Sequence, residues 1–469
     1  MISRRSFSKT VFFLGAIPSA AAVTERLRAQ QTQVALRAAD QNSQSQQNIA
    51  GNQEVENPEN AAKENIQQNI QGMWDVSWER FFIPETRIFY DYLTSWEPGK
   101  YQQHLPTPDE VKRLFPNECG YGTGMEDGMI FAGTWMTAVL SRAECEKDPK
   151  ILAELKRLAH EIFLGVELCA TVHSDPGFLA RAVLPEDGKS VYPNSSRDQY
   201  THAVHGLWHY FRSPLCADDT KEKDAIANVL SLIADRMIRN VIPENDFDSL
   251  RLDGTRDKRT ISKMWNVYAH EAARLPMIYA AAWDTCRKSS TESLRLKAEK
   301  YYSEYRKFAG PAAEQTLTLD ADTLRKLVPT YALLQMQSSL ELLWHLEQEP
   351  AIKAKLLQGL EMGFDLAQAR LEKAERESNG LDMTFLFQDW RINGGGIPWA
   401  TPIRRIWYSP RESGEAAMTQ ILCPTRDFPE ESRELLERAI MRVDPNRVAT
   451  SGIFYLVSAW WNLQRKNGQ

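Results

Sequence analysis

The chain has 469 residues, a formal net charge of −6, a 43% hydrophobic share and 13 tryptophans. No basic block appears after the N-terminal segment, which excludes nucleic acid as the main partner because phosphate binding needs clustered Lys and Arg. The six cysteines, Cys119, Cys145, Cys169, Cys216, Cys286 and Cys423, form no CxxC pair, which excludes zinc-ribbon and thioredoxin-like sites.

The chain opens on Ser3-Arg4-Arg5-Ser6-Phe7-Ser8-Lys9, which resembles a twin-arginine export signal. The apolar run Thr10–Ile17 is too short to span a bilayer, and Pro18–Ala22 offers the small residues a signal peptidase needs. Residues 1–29 therefore read as a cleaved signal peptide. The expected location is periplasmic or secreted, with no membrane span after signal removal. Such cargo folds in a reducing cytosol before export, so free buried cysteines are expected. Residues 30–72 are rich in Gln and Asn and poor in apolar side chains, the composition of a disordered tether. Residues 73–466 are expected to fold as one domain.

The helical period dominates that domain. It predicts helices over Gly128–Glu144, Ile151–Val172, Arg197–Phe211, Lys221–Asn240, Lys263–Cys286, Thr291–Phe308, Ala321–Leu346, Ala351–Arg376, Glu431–Met441 and Thr450–Gln464. Phe178–Val183 and Val191–Tyr192, around Glu186-Asp187-Gly188-Lys189, predict a small hairpin. Helices joined by alternating short and long loops, without a fixed-period repeat, predict an all-α fold: an α/α toroid, a complete or incomplete ring of helical hairpins.

Four segments carry the candidate chemistry. Gly120-Tyr121-Gly122-Thr123-Gly124-Met125-Glu126-Asp127-Gly128 is a glycine-rich turn that offers Tyr121, Glu126 and Asp127 to a substrate, with Asp127 as a simple helix cap the alternative. The second runs from Tyr192 to His209. From a helix start near Arg197, Asp198, His202, His205 and His209 fall on one stripe at i, i+4, i+7 and i+11, and Tyr200 is assigned to substrate binding. Imidazoles at such spacing can share an ion, but no His-Glu-x-x-His motif supports one, so no metal ligand is assigned and a divalent cation stays open. In the third, Lys263–Arg274, the residues Asn266, His270 and Arg274 repeat on one helical face and Tyr268 points to the other. Either set can line a cavity, not readily both. The fourth, Phe387–Tyr408, reads as a loop in which Trp390, Trp399 and Trp407 could stack on sugar rings while Arg391, Arg404 or Arg405 pairs with carboxylates.

Around Asn194–His205 and Asn266–His270 the chain resembles α/α-toroid polysaccharide lyases of bacterial periplasms and, more distantly, unsaturated-glucuronyl hydrolases, whose signature loops are not evident. The resemblance implies an anionic polysaccharide or oligosaccharide substrate. It also implies β-elimination at a uronic acid by Asn194, Arg197, His202, His205, Asn266, Tyr268 and His270. Such chemistry needs a neutralised carboxylate, a base at C5 and an acid at the leaving oxygen. A toroid glycoside hydrolase, which needs two facing carboxyl groups, and a non-catalytic glycan-binding toroid are the alternatives.

Overall fold

The computed structural model describes residues 58–320, 323, 328–393 and 403–468. The expected signal peptide, the tether up to residue 57 and Trp399 lie outside the described residues. Lys63–Gln469 forms one compact unit.

The fold is almost entirely helical. Its helices are α1 (Pro58–Val76), α2 (Pro108–Lys112), α3 (Gly128–Cys145), α4 (Pro149–Thr171), α5 (Arg197–Arg212), α6 (Thr220–Asn240) and α7 (Arg274–Cys286). They continue with α8 (Glu292–Thr316), α9 (Thr330–Leu346), α10 (Pro350–Ser378), α11 (Ile403–Ile421), α12 (Glu430–Met441) and α13 (Ile453–Gly468). A two-residue hairpin, β1 (Phe82–Ile83) with β2 (Ile88–Phe89), is the one sheet among the described residues. No described helix is long and apolar enough to cross a membrane.

Local chemistry explains many of the helix starts. Pro149 opens α4 behind Asp148, whose carboxylate accepts the Lys150 N–H. Asp219 does the same for the Glu222 N–H at α6, and Thr107 and Glu110 form a capping box at α2.

Packing sorts the longer helices into two sets. Helix α3 packs against α5, α5 against α7, α7 against α9, α9 against α11 and α11 against α13, and α13 returns to α3. The even-numbered α4, α6, α8, α10 and α12 each lie against an odd-numbered neighbour in sequence and touch one another in that order. Burial follows the same division. Helix α13 is buried continuously from Ile453 to Leu463, whereas α4 buries only a stripe that includes Leu155, Leu158, Ile162, Val166 and Cys169. Much of the tryptophan content fills the core. Trp135 stacks on Phe89 at 5.1 Å and meets Trp74 edge-on at 5.1 Å, and Phe454 joins the same cluster.

Four expectations need correction. The segment expected to be disordered up to residue 72 ends in α1. Ile66 and Ile70 of that helix are buried, and the Asn69 side chain donates to the Ile440 and Val443 carbonyls at 2.8 and 2.9 Å. The segment 178–192 forms a loop with no strand. The helix expected from Lys263 begins only at Arg274, after left-handed Asn266 and a single 3-10 turn at Ala269–Glu271; Pro276, which has no N–H to give, belongs in a first turn. Residues 403–408, expected to be loop, open α11. The six cysteines are free thiols, all buried except Cys145.

Candidate functional site

The N-terminal ends of four odd-numbered helices, together with α11, bring one group of ionisable side chains together. Asp127 stands at the N-cap position of α3, yet its carboxylate does not cap that helix. It accepts a 3.0 Å hydrogen bond from Arg411 of α11, which also binds Glu415 at 2.7 Å. Asp198, in the first turn of α5, pairs with Arg274, the first residue of α7. Tyr331 from α9 lies beside Arg411, 5.9 Å from its guanidinium to the ring centre, and Tyr408 lies 6.0 Å away. Arg181, delivered by the loop before α5, donates to the Glu126 carbonyl at 2.9 Å and to the Tyr121 hydroxyl at 3.0 Å. Asp127 and Asp198 keep 18% and 31% of their side-chain surface, so both carboxylates stay reachable from solvent.

His202 sits one helical turn below Asp198. Its Nε2 is buried without a hydrogen-bond partner among the described residues. Burial, and then the Arg411 charge, push its imidazole down to about 3, so it is neutral across the physiological range. Arg274 is 1% exposed, and its Nε and Nη2 also lack partners. That edge of a guanidinium is a two-donor fork that matches a carboxylate. Burial lowers His270 to about 4 and opposes the ionisation of Asp198, where Arg274 and Arg197 prevail and hold the carboxyl below its ordinary range. Beneath them lies Asp91, whose carboxylate accepts the Glu126 and Asp127 N–H groups. Burial, then the Asp127 charge, raise it to about 8, and burial likewise raises Glu126 well above its usual value.

The candidates named from sequence divide between this cluster and the framework. Tyr121, Asp127, His202 and His270 are in the cluster. Glu126 contributes its carbonyl while its carboxylate accepts the Gly122 N–H. Tyr268 is 75% exposed, stacked on His270 at 5.8 Å, and Asn266 is exposed nearby in the loop.

Others prove to be structural. Asn194 is fully buried, with its amide spent on Asp257, Cys119 and Ser262. Arg197 spends its guanidinium on Glu271 and the Thr260 and Lys263 carbonyls. Tyr200 is buried and accepts the Leu179 N–H. Trp390 is 1% exposed and donates to the His104 carbonyl, and Arg391 grips Glu110 with two bonds of 2.7 and 2.6 Å, so neither offers a sugar platform. Arg404 lies exposed over Tyr408, and Arg405 is exposed.

His205 is elsewhere. It faces Glu341 of α9 together with His209, beside a cavity of about 260 Å³ at the C-terminal ends of α3, α5 and α13. Arg181, Tyr331, Arg411 and Glu341 escaped the sequence reading. Only the helical phase of α9 and α11 could have flagged the last three, and the start of α11 was read as loop. Compared with protein-family models, curated proteins and solved structures, the chain matches none.

Proposed function

We propose that this chain is an exported α/α toroid, its odd-numbered helices the inner ring, and a lyase that cleaves a uronic-acid-containing saccharide by β-elimination. The ring is supported by the order of helix contacts, in which α13 returns to α3, and by the deeper burial of the odd-numbered helices. Export rests on the paired arginines at Arg4-Arg5.

One observation carries the reaction. The unused Nε–Nη2 edge of buried Arg274 lies in the same cluster as the unused Nε2 of neutral His202. A buried donor without a partner costs about 1–3 kcal/mol, and more when charged. A substrate carboxylate on the Arg274 fork relieves that cost and acidifies the C5 proton. In this reading His202, unprotonated at neutral pH, serves as the base, and Tyr331, whose hydroxyl burial keeps protonated, protonates the leaving oxygen. The reachable carboxylates suit a hydrolase less well. Asp127 and Asp198 are both tied to arginines, and Asp198 is held ionised, so it cannot store the proton a general acid must deliver.

Incubation with alginate, glucuronan or glycosaminoglycans should produce a 4,5-unsaturated uronide absorbing in the far ultraviolet. Arg274→Met should chiefly raise KM, and His202→Asn should lower kcat by about 10²–10⁴-fold. Reducing ends without that absorbance would reject the lyase reading in favour of hydrolysis. Full turnover in both variants would remove them from the reaction.

A further inference from the structure

At the opposite ends of α5 and α9 from this cluster, four metal-ligand side chains meet. His205 and His209 are one turn apart on α5; Glu341 and His345 are one turn apart on α9. His205 Nε2 lies 3.0 Å from Glu341 Oε2, and His209 Nε2 lies 3.2 Å from that same oxygen and 3.2 Å from His205 Nε2. His345 Nε2 lies 3.0 Å from the other oxygen, Glu341 Oε1.

The triangle of two nitrogens and one oxygen cannot be a set of three hydrogen bonds. Each Nε2 carries either one proton or one lone pair, and an ionised carboxylate carries lone pairs only. With both nitrogens protonated, both can donate to Oε2, but their N–H groups then crowd side by side at 3.2 Å; with one unprotonated, its lone pair faces the carboxylate. A cation placed between them meets all three atoms at once.

The spacing fits such an ion. Metal–ligand bonds of about 2.0–2.1 Å in a tetrahedron place the ligand atoms about 3.3 Å apart, close to the contacts found here. Glu341 is 5% exposed and His205 also 5%, so the triangle is shielded from bulk water. Its open side is specific too, because His205 and His209 line the cavity of about 260 Å³ together with Ser141, Arg212, Asn462 and Arg465. That volume holds several waters or a small anion in a fourth position. His345 holds Oε1 and thereby fixes which carboxylate oxygen faces the histidines, the role of an outer-sphere partner.

We propose that His205 Nε2, His209 Nε2 and Glu341 Oε2 bind one divalent zinc ion whose fourth position opens into this cavity. The proposal is independent of the lyase reading, which uses the other ends of these helices.

The test is metal analysis of the full chain. Protein stripped with a chelator should take up one zinc per chain in calorimetric titration and melt at a higher temperature once loaded. Cobalt(II) should enter the same site and give visible absorption bands characteristic of a low-coordinate nitrogen–oxygen site. Glu341→Gln and His209→Asn should lose both zinc and the melting increment, while His345→Ala should bind about 10–100-fold more weakly. His202→Asn should bind as wild type. The metal-free melt of each variant, compared with the stripped wild type, separates loss of the site from loss of the fold. No zinc or cobalt uptake by the stripped wild type would overturn the proposal. So would stoichiometric zinc in the Glu341→Gln, His209→Asn double variant, or exclusive binding of iron(II) or manganese(II).

Discussion

His202 carries a stability cost whatever its chemistry. Its ring is buried neutral, with a value near 3, against an unfolded value of 6.5. Between those values the unfolded chain binds a proton that the folded chain refuses, so stability rises with pH across the window and is fully present above about 6.5. The slope approaches about 1.4 kcal/mol per pH unit for such a histidine. Urea unfolding at pH 5, 6 and 7 should therefore give a steeper pH dependence for wild type than for His202→Asn, and parallel dependences would refute the buried-neutral assignment. The sequence put His202, His205 and His209 on one stripe, and the structure keeps that stripe. What the sequence could not tell is that the stripe runs past two different sites, because helical phase fixes a face and not a depth. Asn194 and Arg197 differ from the sequence expectation for a related reason. Polar residue type marks them as able to do chemistry, but only the 257–271 loop folding back over them shows that their hydrogen bonds are already used.

Among the elements, the α3–α5 contact sets the depth of the histidine stripe. Gly133 lets α5 approach so closely that a Cβ there would lie 2.1 Å from the His202 carbonyl oxygen, and a Cβ on Gly206 would lie 2.9 Å from the Gly133 Cα. Replacing a helical glycine with alanine usually favours the helix by up to about 1 kcal/mol. Here the obstacle is backbone that cannot turn aside, and overpacking of about 1–3 kcal/mol outweighs that gain. Gly133→Ala should lower the chemical-denaturation midpoint and, by moving α5, weaken metal binding as well. A raised midpoint would show that the two helices are not held this closely. Helix positions were largely legible because buried stripes impose their period on sequence. The start of helix α11 is not, since Trp407 and the arginines Arg404 and Arg405 read as loop chemistry beside a glycine-rich stretch. The late start of α7 is legible in Pro276, which fits a first turn and not the interior of a helix begun at Lys263.

At the scale of the molecule, the folded unit reaches further toward the N-terminus than composition implied. Ile66, Ile70 and Asn69 of α1 sit in a Gln- and Asn-rich stretch, where low average hydropathy hides two buried anchors. Burying one isoleucine side chain is worth about 1.5–3 kcal/mol. A chain beginning at Met73 should thus melt well below one beginning at Gly51, and equal melting temperatures would mean α1 contributes nothing. Both should give circular dichroism dominated by helix. The all-α class was legible in the sustained period of the chain. The pairing of α13 with α3 was not, because contacts between residues more than three hundred positions apart leave no local trace.

The shared direction of the odd-numbered helices has an electrical consequence. Asp127, Asp198, Arg274 and Tyr331 belong to the first turns or N-cap of α3, α5, α7 and α9, whereas Glu144, Arg212 and Arg465, which line the cavity, belong to the last turns of α3, α5 and α13. Each aligned helix places about half a positive charge at its start and half a negative charge at its finish. The first turns of these odd-numbered helices therefore favour a carboxylate locally and their last turns a cation, while the even-numbered helices packed beside them run back and keep the bundle as a whole from being polarised. A proposed anion at the first turns and a proposed cation at the last turns would thus each meet the helix ends of the favourable sign.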